Sequence, residues 1–193
     1  MSNQSVNCRS IRVKLLALLG IVGAILVCLI VILRIFGFLR LGVMAMNSDA
    51  PTLTTGDHIV CEDLSFHWRN PRRGEFVFFR TDGLRFVNAP LYAKRVIGLP
   101  GEQVGITNGE LYIDGALMVV SNAYGPIRYL PVPSWHTADY QTNMLVPSGQ
   151  YFVLGDNPTK SLDSRYFGCV PATNIIGRVY LCCWPPQRVG FIK

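Results

Sequence analysis

Leu91-Tyr92-Ala93-Lys94-Arg95-Val96-Ile97-Gly98, followed by Leu99-Pro100-Gly101, is the stretch on which the fold turns. It reads as a β-strand, and the Pro-Gly pair stops it. Successive strand side chains point to opposite faces, so Tyr92, Lys94 and Val96 share one face and Ala93, Arg95 and Ile97 the other. If one face is solvent, the other carries a cation into apolar surroundings. A lysine there loses hydration, which disfavours its charged form, and a neutral amine can take a proton from a serine hydroxyl. Arginine stays protonated and cannot. The plainer alternative is a surface lysine on an edge strand, with Arg95 in a salt bridge.

The flanking sequence has the same β character. Downstream, Gln103–Thr107 and Glu110–Ile113 alternate around Asn108-Gly109, a strong hairpin signal. Asp114-Gly115 supplies a second tight turn into Ala116–Val120. Upstream, His58–Glu62 and Gly74–Arg80 read as strands separated by the polar loop Leu64–Arg73. Gln150–Leu154 and Ile175–Trp184 complete the set, with Pro185-Pro186 ending the last. The span 115–149 reads as a short variable excursion, and its residues 121–147 show no period. Without repeats or βαβ alternation, the expected fold is mostly β, an antiparallel sheet domain behind one helix.

That helix is Leu15–Leu33, LLALLGIVGAILVCLIVIL, 19 residues without a charge and long enough to cross a bilayer. A cleaved signal peptide has a shorter apolar region with small residues close behind it. Here Val43-Met44-Ala45 lies far beyond the run, past Arg34 and Arg40, so a retained transmembrane anchor is expected. The chain then divides into a basic cytoplasmic N-terminus (1–14), the anchor (15–33) and a β-rich catalytic domain on the outer face (34–193). Arg9, Arg12 and Lys14 before the span, against Arg34 and Arg40 after it, favour this orientation. Ile35–Met46 stays apolar, is too short for a second span, and reads as a first strand near the bilayer.

The 193 residues carry a net charge of +6, yet Lys and Arg are scattered and form no patch interleaved with aromatics. Nucleic acid is therefore not an expected partner, and anionic lipid accounts for the basic balance. The six cysteines, at 8, 28, 61, 169, 182 and 183, include no C-x-x-C, and neither a metal site nor a cofactor is expected. Pairing of Cys182 or Cys183 with Cys61 or Cys169, and buried free thiols, both stay open.

Two further stretches bear on chemistry. Asn47-Ser48-Asp49-Ala50-Pro51-Thr52-Leu53-Thr54-Thr55-Gly56-Asp57 offers one candidate nucleophile, Ser48, in what is otherwise a linker composition. Gly155–Gly168 gathers hydroxyls, two carboxylates and an arginine; Asp163 and Arg165 suit a charge-assisted pair, in either a solvated connection or a loop that positions a catalytic group. G-x-S-x-G, S-x-x-K and H-E-x-x-H are all missing. A Ser-His-Asp triad using His58, His67 or His136 is not settled by spacing, because triads are defined in space.

Taken together, these stretches resemble the bacterial type I signal peptidases, or leader peptidases. Ser48-Asp49-Ala50-Pro51-Thr52-Leu53 is similar to the family's S-M-x-P-T-L, with Asp49 in place of methionine. Lys94-Arg95-Val96-Ile97-Gly98-Leu99-Pro100-Gly101-Glu102 matches K-R-V-I-G-L-P-G-[DE] throughout, and Gly155–Gly168 matches G-D-N-x-x-x-S-x-D-S-R-[YFW]-x-G. The resemblance runs over roughly residues 44 to 184 and implies a serine-lysine dyad endopeptidase of the bacterial inner membrane, acting on the periplasmic side. Ser48 would be the nucleophile and Lys94 the general base. Ser161 would orient the lysine amine, and Asp163 and Arg165 would brace that loop. The Ser48 N–H would donate to the oxyanion; many members add a serine two positions earlier, where this chain has Met46. Implied substrates are exported precursors bearing signal peptides, cut after small residues such as Ala-x-Ala. The resemblance fits a housekeeping enzyme and equally one specialised for a pilin or a conjugation or secretion component. Met46 and Asp49 also admit a non-catalytic, membrane-anchored envelope scaffold.

Overall fold

In the computed structural model the described residues are 3–35, 38–87, 89–131 and 140–192. They form two compact units, Met1–Arg40 and Leu41–Lys193. The first is dominated by helix α1, Asn3–Ile35. Its segment Ile11–Ile32 has a mean hydropathy of 3.3 and buries nothing, so by length and composition it can cross a membrane. The helix begins well before the charge-free run and takes in Arg9, Arg12 and Lys14, so most of the expected basic tail is helical. Those residues offer no proline to stop the helix.

The second unit is antiparallel β structure. Its strands are β1 Leu39–Val43, β2 His58–Glu62, β3 Phe76–Arg80, β4 Leu91–Gly98, β5 Gln103–Thr107, β6 Glu110–Ile113 and β7 Ala116–Met118. Then come β8 Ser121–Asn122, β9 Gly125–Pro126, β10 Asn143–Leu145, β11 Gln150–Leu154, β12 Val170–Pro171, β13 Ile175–Trp184 and β14 Gly190–Phe191. The main sheet runs β1-β2-β13-β3-β4-β11-β12, with β14 on β13. A second sheet runs β10-β5-β6-β7. The hairpin between β5 and β6 forms at Asn108 and Gly109, both left-handed at φ 53 and 79, as a tight turn with the twist of its strands requires.

Three differences from the sequence reading stand out. The excursion at 121–147 contains β10, which pairs with β5 and extends the second sheet. The polar stretch 155–168 ends in a one-turn helix α2, Ser164–Phe167, all four residues of which are buried. Strand β4 has no solvent face: Tyr92 to Gly98 are all buried, Lys94 and Arg95 included. Strands β3 and β11 flank β4, and a separate apolar cluster lies on each side of it. Ile97 packs with Val104, Leu111, Phe152 and Leu154, whereas Val96 packs with Val77, Phe79, Val153 and Phe167. A third cluster sets Leu53, fully buried, against Ile59, Phe76, Ala93 and Val179. Burying Leu53 stabilises its turn by roughly 1.5–3 kcal/mol.

The loop before β3 is held by charge. Glu75 accepts from both Arg69 guanidinium nitrogens at 2.6 and 3.0 Å and from the Arg72 N–H at 2.9 Å, and Arg178 of β13 lies at 3.4 Å. Partial burial would raise the Glu75 carboxyl, but the bonds from Arg69 and Arg72 and the nearby cations hold it below its ordinary value. A depressed carboxyl stabilises the fold above its unfolded value, and that contribution is lost as pH falls through the folded one. Thermal unfolding of the wild type should therefore fall in temperature below the ordinary glutamate value of about 4.3. Glu75→Gln should remove part of that fall, which a melting-temperature series in pH measures directly.

Candidate active site

The turn carrying Ser48 is fixed from several directions. Met44 N–H donates to Asp57 O at 2.9 Å and Gly56 N–H to Met44 O at 2.8 Å, which closes the turn at its base. Inside it, Leu53 N–H donates to Asp49 O at 2.9 Å. Arg188 grips the outside, donating to both Asp57 carboxylate oxygens at 2.7 and 2.9 Å and to Pro51 O and Thr52 O at 3.0 Å each. The loop after β11 holds the inside: Asn157 N–H donates to Ser48 O at 3.1 Å and its side chain to Asn47 O at 3.0 Å. A methyl group on Gly155 would overlap both Ser48 O and the Ser161 hydroxyl, so the chain can approach this closely only at a glycine.

Ser48 is 5% exposed, Lys94 2% and Asp49 not at all. The Lys94 ammonium donates to Ser48 Oγ at 2.7 Å, to Asp49 Oδ2 at 3.0 Å and to Ala93 O at 2.9 Å. The Ser48 hydroxyl donates to Asp49 Oδ2 at 2.6 Å. Nζ also lies 5.3 Å from the centre of the Tyr92 ring. Burial pushes the Asp49 carboxyl above its ordinary value, although the Lys94 charge and the bonds from Ser48 and Lys94 pull the other way. The three groups form one closed hydrogen-bonded set with almost no water, which suits proton exchange among them.

The structure brings Ser48 and Lys94 together, although 46 positions separate them. Ser161 behaves differently from what the resemblance implies. Its Oγ is buried near Gly155 and the Ser48 carbonyl oxygen but has no hydrogen-bond partner. An ammonium has three donors, and Ser48, Asp49 and Ala93 O occupy all three. Asp163 and Arg165 do pair, at 2.8 and 2.9 Å, with both side chains fully buried. Arg165 also donates to Pro158 O, Ser161 O and Leu130 O, and Gly155 N–H donates to Asp163 at 3.1 Å. Burial alone would lower the Arg165 value; the Asp163 charge and hydrogen bonds outweigh it and raise it.

Sequence reasoning missed three contributors. Asp49 stands out in the sequence only as a departure from the motif, and no local pattern shows that it reaches Lys94. Arg95 is the second: it donates to both Asp156 oxygens at 2.9 and 2.7 Å, and Thr52 donates to the same carboxylate. The adjacent cations of β4 thus take separate carboxylates, and the G-D-N box was the available signal for Asp156. Arg188 is the third, a single arginine after two prolines with no motif around it. His58 and His67 are exposed, and His67 Nδ1 faces Asp63 O at 3.1 Å, while Ser48 Oγ is engaged by Asp49 and Lys94. His136 lies outside the described residues. Cys169, Cys182 and Cys183 are free thiols, and burial pushes the Cys169 thiol up to about 12. Among the described residues no His, Cys, Asp and Glu cluster could hold a metal ion.

An antiparallel β domain with a buried serine-lysine contact is what the structure supplies, and comparison with known proteins gives its family. The sequence profile described as signal peptidase, peptidase S26, matches residues 16–184. A probable signal peptidase I-2 of Synechocystis is 37% identical over 148 residues, which are 76% of this chain and 63% of that protein. Signal peptidase I of Leptolyngbya laminosa is 38% identical over 148 residues, 75% of this chain and 68% of the relative. Signal peptidase I of Bacillus caldolyticus is 33% identical over 171 residues, 86% and 90% of the two chains. The chain belongs to the signal peptidase family, peptidase S26. It spans less than two thirds of the length of the Synechocystis relative.

Breaking a buried ion pair from one side strands the other charge, at a cost of about 3–5 kcal/mol. Arg165→Ala should therefore lower unfolding stability by about that much, read from the midpoint of urea denaturation in detergent. Arg128→Ala, which removes the exposed pair with Glu110, should stay within about 1 kcal/mol of wild type.

Proposed function

We propose that this chain is a membrane-bound serine endopeptidase that removes signal peptides from exported precursors after small residues. The observation that carries the reading is the buried 2.7 Å hydrogen bond between Lys94 Nζ and Ser48 Oγ. Ser48 Oγ attacks the carbonyl carbon before the scissile bond, and the Lys94 amine receives its proton. The tetrahedral intermediate collapses as the C–N bond breaks, and the same proton passes to the leaving amine. Water then attacks the acyl-Ser48 ester, giving a proton to the base, and the acid product leaves as Ser48 regains its hydrogen. The Ser48 N–H serves as an oxyanion donor. Asp163 and Arg165 hold the loop that carries Ser161 and abuts Ser48 through Asn157.

The apolar segment Ile11–Ile32 supports a single-pass anchor, and the excess of Arg and Lys before it supports a cytoplasmic N-terminus. The catalytic domain then faces the periplasmic side of a bacterial inner membrane, where precursors arrive tethered by their own leaders. Membrane lipid is accordingly a partner of the anchor.

The test uses the full chain in detergent with a precursor carrying Ala-x-Ala before the cut. Ser48→Ala and Lys94→Ala should each lower kcat/KM by about 10³-fold while unfolding cooperatively. Wild-type turnover in either variant rejects the dyad. A wild-type chain that cleaves no such precursor, and whose Ser48 resists an acylating peptidase inhibitor, supports the scaffold reading instead.

A further inference from the structure

Ser48 Oγ lies between two groups able to take its proton, 2.6 Å from Asp49 Oδ2 and 2.7 Å from Lys94 Nζ. As an ammonium, Lys94 finds acceptors for all three of its donors and has no lone pair for the serine proton. The group that stands where the serine proton would go is the carboxylate of the next residue. We propose that Asp49 is a third catalytic residue, and that Asp49 and Lys94 together form the base that takes the Ser48 proton.

This inference rests on the peptidase reading of Ser48 and Lys94. The proton accounting is the same by either route. Before attack the pair holds one exchangeable proton beyond the neutral amine and the carboxylate, as ammonium with carboxylate or as amine with carboxylic acid. On attack the Oγ–H bond breaks and the Oγ–C bond forms. The proton goes to whichever partner is vacant, leaving ammonium and carboxylic acid. When the C–N bond breaks, one proton leaves for the amine product and the pair returns to its starting state. Water repeats the cycle in deacylation. No additional reactant is needed.

The surroundings favour a shared proton. Asp49 is fully buried, and burial of its carboxyl favours the protonated form. The charged groups facing it are Lys94 from β4 and Asp156 from the loop after β11. Asp156 is itself bound through both oxygens to Arg95, so it adds little free negative charge. Two groups this closely coupled titrate as a pair, and the steps belong to both.

The pH dependence separates a pair from a lone lysine. With Asp49 present, activity is lost at low pH when the pair gains its second proton, on the carboxyl. Without Asp49, activity requires Lys94 itself to be neutral, and an ammonium is a weaker acid than a carboxyl. The acid limb must then move to higher pH. The experiment measures kcat/KM against pH for cleavage of an Ala-x-Ala precursor by wild type, Asp49→Asn, Asp49→Met and Asp49→Glu, full-length in detergent, with Ser48→Ala as the blank. The expected result for Asp49→Asn and Asp49→Met is a loss of about 10²-fold near neutral pH, an acid limb displaced upward, and partial recovery in alkali. Asp49→Glu keeps a carboxyl and should keep the wild-type acid limb, so the proposal stays testable if the neutral variants fold poorly. Asp49→Asn or Asp49→Met with an unmoved limb, or with faster cleavage than wild type, overturns it. Absence of cleavage by wild type is a different result, because it rejects the peptidase reading itself.

Discussion

Everything in the β domain is arranged around one expensive requirement: a lysine and an aspartate must sit together away from solvent. Lys94 and Asp49 are both essentially dehydrated, and an ion pair in that state holds only if hydrogen bonds satisfy its remaining donors and acceptors. Ala93 O and Ser48 Oγ do this for the lysine, and Ser48 with Lys94 does it for the carboxylate. The lysine must lie in an interior strand covered on both faces, which is where β4 runs between β3 and β11. The carboxylate must reach it from a loop, so that loop cannot move. Leu53 in the core, Arg188 outside and Asn157 inside are the restraints that keep it still.

Much of the scaffold was legible because its signals are local. Strands β2, β4, β5, β6, β11 and β13 occupy the residues that alternation and turn chemistry point to. Asn108-Gly109 specifies its hairpin through two backbone angles that few other residues tolerate. The short strands β10, β12 and β14 carry two or three residues each, too few for a period, and exist because a partner edge is available. The loop 155–168 misleads for another reason. Its polar composition suggests exposure, yet Asp163 and Arg165 neutralise one another and can be buried as a unit.

The site divides the same way. Ser48, Lys94, Asp163 and Arg165 could be picked out because each sits in a stretch with recognisable neighbours. Their partners could not. Nothing beside Asp49 marks it as a contact of a residue 45 positions away, and nothing beside Arg188 marks it as a clamp on Asp57 131 positions earlier. Burial of both β4 cations also has no local sign, since it depends on acids supplied from opposite directions along the chain.

That last feature has a consequence for biosynthesis. Lys94 and Arg95 reach across 45 and 61 residues to Asp49 and Asp156, and Thr52 reaches across 104 to the same Asp156. Contacts of such separation form late, after the loops between them have closed. A chain emerging from the ribosome carries Ser48 and Leu53 early, whereas Asn157 and Arg188 arrive only with the last quarter of the sequence. The turn that carries Ser48 therefore has its full set of restraints only once Arg188 has been made.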